Sequence, residues 1–197
     1  MAGLSDSSSA FRPGGERRDG GDGRAIDRHD DPVGGLGTLR IAPRAPGDID
    51  RLGRTFGPQA QSYYLERSRR QGVLLVARVG ERAIGAVFVS TEPAPESAII
   101  RRLGKVPMLH KLMVDEQLRR RGIGTRLIRS AEAELRRLRQ HRVAVGVDID
   151  NPSAARLYQR LAYREWAYGL LETVREDVKD GKVILLPDEC RVFLKNL

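Results

Sequence analysis

Three arginines and two spaced glycines, Arg119-Arg120-Arg121-Gly122-Ile123-Gly124, are the residues whose types and spacing most directly specify chemistry. Guanidinium groups carry permanent positive charge, and glycine removes the side chain that would hold a bulky anion away from the backbone amides. From Ile123 onward the apolar spacing is that of an amphipathic helix, whose first turn leaves N–H groups unpaired and carries about half a positive charge. The stretch from Arg119 to Thr125 is therefore expected to hold a phosphorylated cofactor. It lacks the Gly-Lys-Ser/Thr ending of a Walker loop and the third glycine of a dinucleotide fingerprint.

Such a loop needs a strand before it and a helix after it. MLHKLMV, residues 108–114, reads as that strand, and alternation puts Met108, His110, Leu112 and Val114 on one face and Leu109, Lys111 and Met113 on the other. The helix from Ile123 to about Arg139 buries Ile123, Leu127, Ile128, Ala131, Leu135 and Leu138, with its arginines, Glu132 and Glu134 outside. Upstream, TLRIAPR is a first strand, and a helix follows with Asp48 as N-cap and Ile49, Leu52 and Phe56 on its inner face. A second helix covers about Gln59 to Arg70. Its Tyr63, Tyr64 and Ser68 are read as packing residues rather than pocket residues. VLLVARV and AIGAVFVST form a hairpin turning at Gly80 to Arg82, and EPAPESAIIRRLGKVP is a long connection with an amphipathic stretch at Ile99 to Leu103. RVAVGV is a strand, Asn151-Pro152 a helix start, and REWAYG and CRVFLKNL two last strands flanking a helical or irregular LLETVREDVKDG. Periodicity alone gives an α/β or α+β domain.

A chain of 197 residues with 40% hydrophobic residues can bury a substantial core. Residues 1–36, rich in serine, glycine and alternating charge, are expected to be a disordered tail, and residues 37–197 the domain. No apolar run approaches the roughly 20 residues of a membrane span, and no secretory signal is expected at the N-terminus. Cys190 is the only cysteine, which fits a reducing cytoplasm. The net charge is +9, and of the 35 basic residues most are arginine and lie after residue 36. That balance suits anionic ligands, phosphorylated cofactors and nucleic acid alike.

The order Leu112-Met113-Val114-Asp115, then Arg119-x-x-Gly122-x-Gly124, then Asn151-Pro152-Ser153-Ala154-Ala155-Arg156-Leu157-Tyr158 resembles the GNAT superfamily of acetyl-CoA-dependent N-acyltransferases. The resemblance covers about Thr38 to Leu197. It implies a mixed, twisted central sheet of about six to seven strands with helices on both faces. It also implies a cofactor site made by Leu112, Met113, Val114, Arg119, Arg120, Arg121, Gly122, Ile123, Gly124, Thr125, Asn151 and Tyr158. The strand backbone at 112–114 would pair with the pantetheine arm, and Tyr158 matches the tyrosine that acts as general acid beside the CoA sulfur. Ala162 stands where the family usually has glycine.

His110 is the candidate base, since an imidazole titrates where an ammonium must lose a proton; its plain alternative is a hydrogen-bonded core histidine. Asp148 and Asp150 are read first as turn residues and second as attractors of a cationic amine. His29, His110, His141 and Cys190 form no ligand spacing, so no metal is expected. The expected partner is a small-molecule or peptide amine, with acetyl-CoA as co-substrate. The alternatives are a nucleic-acid-binding module, disfavoured because no aromatic residue interleaves RRRGIGTRLIR, and a GNAT-like domain that binds acyl-CoA without catalysis. Pairing into a homodimer through an edge strand has no residue pointing to it.

Overall fold

The computed structural model describes residues 37–179 and 182–197; the tail expected over residues 1–36 lies outside them. The order is β1 (Leu39–Pro43), α1 (Asp48–Phe56), α2 (Pro58–Arg67), β2 (Gly72–Val79), β3 (Arg82–Ser90), α3 (Ser97–Leu103), β4 (Met108–Val114), a 3-10 turn (Glu116–Leu118), α4 (Ile123–Arg137), β5 (Arg142–Asp148), α5 (Pro152–Arg160), β6 (Arg164–Glu165), β7 (Leu171–Lys179) and β8 (Lys182–Asn196). The strands form one sheet in the order β1-β2-β3-β4-β5-β8-β6, with β7 paired to β8. Among the described residues only β4 and β5 are parallel.

Helices cover both faces, which is why β2 and β3 are apolar at consecutive positions instead of alternating. On one face Ile123, Leu127, Ile128, Ala131 and Leu135 of α4, with Ala155 and Tyr158 of α5, pack on Leu75, Ile84, Val87, Leu109, Val143 and Val145. On the other, Leu52 of α1 and Ala60 and Tyr64 of α2 pack on Leu74, Val76, Ala86 and Phe88. That second face continues past β4 as Met108, Ala144 and Val192 under Ile99 of α3 and Trp166. Gly85 lets α4 come close: a Cβ there would lie 2.9 Å from the Met113 carbonyl oxygen and 3.0 Å from Leu127 Cδ1.

Four expectations change. LLETVREDVKDG is not helical; β7 pairs antiparallel with β8 from Leu171–Cys190 to Lys179–Lys182. Buried Leu171 and exposed Glu172 already alternate as a strand would, and the cross-strand partner supplies the hydrogen bonds. CRVFLKNL is then only the end of a 15-residue strand, and the described residues hold eight strands and a helix at Ser97–Leu103. Second, REWAYG is a strand only at Arg164 and Glu165; the Trp166 amide still donates to the Val192 carbonyl at 2.9 Å, and its Nε1 donates to the Gly169 carbonyl at 2.5 Å.

Third, Asp48 does not cap α1. Gly47, at φ 79°, occupies the cap position, and fully buried Asp48 accepts from Ala45 N at 2.6 Å and Arg78 Nε at 2.8 Å. Burial alone would raise its pKa, but the hydrogen bonds from Arg78 and Ala45 and the charges of Arg78 and Arg51 hold it below the usual carboxylate value. Fourth, Glu132 and Glu134 are buried and Leu138 is 36% exposed. Both oxygens of Glu132 accept from Lys195 Nζ at 2.8 Å, and Glu134 takes both arms of Arg137. A paired carboxylate can occupy a core-facing helix position that periodicity assigns to solvent.

Candidate functional site

The site begins with a strand whose two edges differ. Along one edge β4 pairs with β3 at five register positions, from Ser90–Met108 to Gly85–Val114. Along the other it meets β5 at only two, Met108–Ala144 and Leu109–Val145. Beyond Leu109 the strands separate, and Leu112, Met113 and Val114 remain half-buried in the middle of the sheet. Backbone N–H and C=O groups bordering such a gap are available to a ligand that can pair with them as a strand would.

A bulge opens beside the gap. Lys111 and Leu112 together face the single residue Val87, and Lys111 has φ 46°. The hydroxyl of buried Tyr64 donates to the Lys111 carbonyl and lies 3.5 Å from that of Ala86, fixing the bulge from α2. This extra residue corrects the alternation expected for the strand. Leu112 and Val114 pack with the α4 and α5 face, whereas His110 lies beside Phe88, with ring centroids 6.2 Å apart and planes tilted by 34°, on the α1 and α2 face. His110 therefore does not share a face with Leu112; the two lie on opposite sides of the sheet.

After β4, the Asp115 side chain accepts from Gln117 N at 3.1 Å and starts the 3-10 turn. Arg120 (φ 63°) and Gly122 (φ 78°) then turn the chain into α4. The helix has no side-chain cap and no acidic residue in its first turn, so its N-terminal amides face outward uncompensated. Arg119, Arg120 and Arg121 are exposed around them. Arg119 also reaches Glu116 at 3.2 Å. Ile123 is core, leaving only its backbone for a ligand, and Thr125 is half-buried in the first turn. A Cβ on Gly124 would fill a hollow bounded by Leu157 Cδ2 at 3.6 Å, Leu112 Cδ2 at 3.7 Å and Val114 Cγ2 at 3.8 Å. Strand, loop and α5 thus converge at Gly124. An open basic helix end leading to a hollow and an unpaired strand edge fits a ligand with an anionic part and a thin amide-bearing arm, as CoA has.

α5 starts where Asn151 Oδ1 accepts from Ala154 N at 3.0 Å, so its capping role is real. Tyr158, about two turns further, is 3% exposed and packs edge-on against Tyr163 at 5.2 Å. Burial raises the pKa of its phenol well above the ordinary value, so it is protonated at neutral pH. His110 moves the other way. Burial first, then the Arg67 charge, lowers it to about 4, which leaves a neutral imidazole at pH 7. The two candidate proton carriers thus lie on opposite faces of the gap. Cys190 is pushed up to about 11, by burial first and then by Glu96, Asp148 and Asp188, and is a thiol rather than a nucleophilic thiolate.

Some residues escaped the sequence reading. Tyr63 carries two cations on its ring, Lys111 Nζ at 4.6 Å and the Arg67 guanidinium at 5.2 Å. A lone lysine inside the apolar run MLHKLMV is the signal that could have found this cluster. Gly146 is exposed in mid-strand, and nothing in RVAVGV distinguishes it by sequence. Asp148 accepts Asn151 N at 3.0 Å through its backbone, as a turn residue, and keeps its side chain exposed. Among the described residues no group of His, Cys, Asp and Glu could hold a metal ion, and no helix is long and apolar enough to cross a membrane.

The family model described as acetyltransferase (GNAT) family matches residues 28–163. No curated protein is a match. Solved structures are similar throughout the fold. An N-acetyltransferase from Staphylococcus aureus is 14% identical, with 81% of this chain and 99% of that one covered at a TM-score of 0.58. A GNAT family acetyltransferase from Elizabethkingia anophelis with acetyl-CoA bound is 15% identical over 81% and 98%, TM-score 0.53. NAA60 of Arabidopsis thaliana, in complex with a bisubstrate analogue, is 22% identical over 81% and 98%, TM-score 0.59.

Proposed function

Because the chain belongs to the acetyltransferase (GNAT) family and is an acyltransferase, we propose that it moves an acetyl group from acetyl-CoA to a primary amine of a small molecule or peptide. The observation that carries this reading is the β4–β5 gap opening directly beside the uncapped N-terminus of α4. Acetyl-CoA supplies the activated acyl group as a thioester. The chain's own residues bind it, exclude water and manage protons.

The α4 amides from Gly122 to Thr125, with Arg119, Arg120 and Arg121, hold the pyrophosphate. The backbone of Leu112, Met113 and Val114 receives the pantetheine arm, with Gly124 leaving it room and Asn151 at its side. Amides along that edge also face the acyl oxygen, and one well-placed donor to a developing oxyanion is worth about 2.7–4 kcal/mol elsewhere. Tyr158 comes from the α5 side and gives its proton to the departing sulfur. The amine arrives from the opposite face, where His110 accepts a proton directly or through water. The faces assigned to acid and base follow from the Lys111 bulge.

Thermal unfolding of the full chain with acetyl-CoA, CoA, ATP and a DNA duplex in parallel tests the reading. A ligand at 100 times its Kd adds about 2.7 kcal/mol, which raises the midpoint of a domain this size by roughly 5 to 10 °C. A shift with acetyl-CoA and CoA, and none with ATP or DNA, is expected. No shift with acetyl-CoA sinks the proposal, and a shift with DNA alone makes the basic surface the function.

A further inference from the structure

The face of the gap that carries His110 has two walls of opposite charge. On β4 and α2 stand Lys111 and Arg67, both against the Tyr63 ring, with Arg67 also close enough to His110 for its charge to be felt there. Among the described residues neither cation makes an ion pair. Each rests on an aromatic ring, which holds it in place while leaving its charge uncompensated. Lys111 is exposed in the middle of a sheet, which requires open space above that strand.

Across the gap, β5 presents Ala144, Gly146 and Asp148 on the same face as Met108 and His110, since Ala144 and Met108 share one cluster and β5 pairs with β8 without a bulge. Parallel pairing of Met108 with Ala144 brings Gly146 level with His110. Gly146 is exposed and has no side chain; a Cβ there would lie 3.0 Å from Cys190 Sγ, so the floor level with the imidazole is backbone bordered by that thiol. Beyond it the exposed Asp148 pairs with Cys190, and Glu96, held by Thr173 Oγ1 at 3.1 Å, lies near the same thiol with Asp188.

A molecule whose amine sits over this floor has carboxylates on one side and two uncompensated cations on the other. We infer that the acceptor is an amine carrying a carboxylate close to its nitrogen, as an α-amino acid does, with the carboxylate bound by Arg67 and Lys111 and the ammonium drawn to the Asp148 side before it loses its proton. This rests on the acetyltransferase reading and narrows its substrate. A diamine or an agmatine-like dication would place its second positive charge against Arg67 and Lys111. The acetyl–sulfur bond breaks and an amide bond to the acceptor nitrogen forms. The ammonium nitrogen gives up two protons, one to His110 or water before attack and one as the amide forms; one proton reaches the thiolate and one is released to solvent.

The test uses the full chain, acetyl-CoA and detection of free thiol with matched acceptors: each of the common α-amino acids, its α-amide and its decarboxylated amine. For at least one set, kcat/KM for the free carboxylate should exceed that for the amide and the decarboxylated amine by about tenfold or more. Arg67→Gln and Lys111→Gln, separately and together, should raise KM for the carboxylate member and leave that of its amide within about twofold; Arg67→Lys should restore part of the preference. Arg67 lies on the partly exposed side of α2, so its variants should unfold at the temperature of the native chain. Equal or faster turnover of the amides or decarboxylated amines overturns the inference, as does a preference that survives both substitutions. Thiol release with none of the sets also overturns it, while acetyl-CoA binding in the thermal scan would leave the acetyltransferase reading standing.

Discussion

The two edges of β4 are chemically alike in sequence and opposite in use. Toward β3 the strand is paired at five positions and buried between α2 and α4. Toward β5 it is paired at two, and the rest of the edge borders a gap. An unpaired edge at the margin of a sheet is ordinarily a hazard that a fold covers or blunts. Here the open edge is internal, walled by α4 and α5 on one face and by α2 and the region around Trp166 on the other. What separates the edges is the partner each one meets rather than any difference in strand propensity. The paired edge fixes β4, and the open edge displays it.

The sharpest way to break that contrast is to leave both edges intact and remove one proton. Tyr158→Phe deletes only the phenol oxygen of a residue 3% exposed. A general acid contributes about 100-fold or more to turnover, so kcat should fall by about that factor, about 2.7 kcal/mol in the barrier. The Kd for acetyl-CoA, measured by titration calorimetry, should stay within about twofold. Unchanged turnover would remove Tyr158 from the mechanism and leave it as a packing partner of Tyr163.

A slightly smaller effect is expected from filling the hollow where the open edge meets α4. A Cβ at Gly124 finds the side chains of Leu112, Val114 and Leu157 at ordinary contact distances of 3.6 to 3.8 Å, so the methyls of Gly124→Val press on side chains rather than on backbone. Valine is also no worse than glycine in a helix. The variant should keep its thermal midpoint while its Kd for acetyl-CoA rises about 30-fold, about 2 kcal/mol. Undiminished affinity with the variant would place the cofactor arm elsewhere and make the gap a structural feature alone.

His110 sharpens the comparison through pH. Its folded pKa of about 4 lies below the ordinary 6.5, by burial first and the Arg67 charge second. The unfolded chain therefore binds a proton before the folded one. The neutral imidazole's share of stability is complete above pH 6.5 and is lost as pH falls toward 4. Between pH 6.5 and 4.5 that share should fall by about 2 kcal/mol. Urea unfolding of the native chain and of His110→Gln at both pH values reads the difference. An identical pH slope in the variant would mean that the His110 imidazole is solvated rather than buried.

How much of this could be read from the chain alone depends on how local each feature is. The turn into α4 was legible because its cause is local: Gly122 takes a left-handed turn and α4 starts at Ile123. The cap at Asn151 was legible for the same reason. The expectation for Asp48 failed because its oxygens are claimed by Arg78, thirty residues away. LLETVREDVKDG failed because a strand's stability resides in its partner, and β8 comes later in the chain. The two faces of β4 failed for a subtler reason. Strict alternation assumes one residue per position, and nothing in MLHKLMV announces that Lys111 and Leu112 will together oppose Val87. The lesson of the site is in that bulge: one inserted residue moved the candidate base to the face opposite Leu112 and Val114.

The smallest expected effect tests whether the bulge is held or merely tolerated. The Tyr64 hydroxyl is buried, donates to the Lys111 carbonyl and lies within reach of the Ala86 carbonyl, so it ties the paired edge and the bulge to one side chain on α2. Tyr64→Phe keeps the ring in the cluster with Phe88 and Leu52 and removes the hydroxyl that donates to the bulge. The loss of one buried donor should cost about 1–2 kcal/mol in urea unfolding. If the bulge depends on that bond, the damage should also be one-sided. Amides of Leu112 to Val114 should lose hydrogen-exchange protection relative to those of Val87 and Phe88, and kcat/KM should fall severalfold through looser placement of the open edge. A stability loss with protection and turnover unchanged would show that β3 pairing alone sets the bulge, and that the two edges of β4 are specified independently.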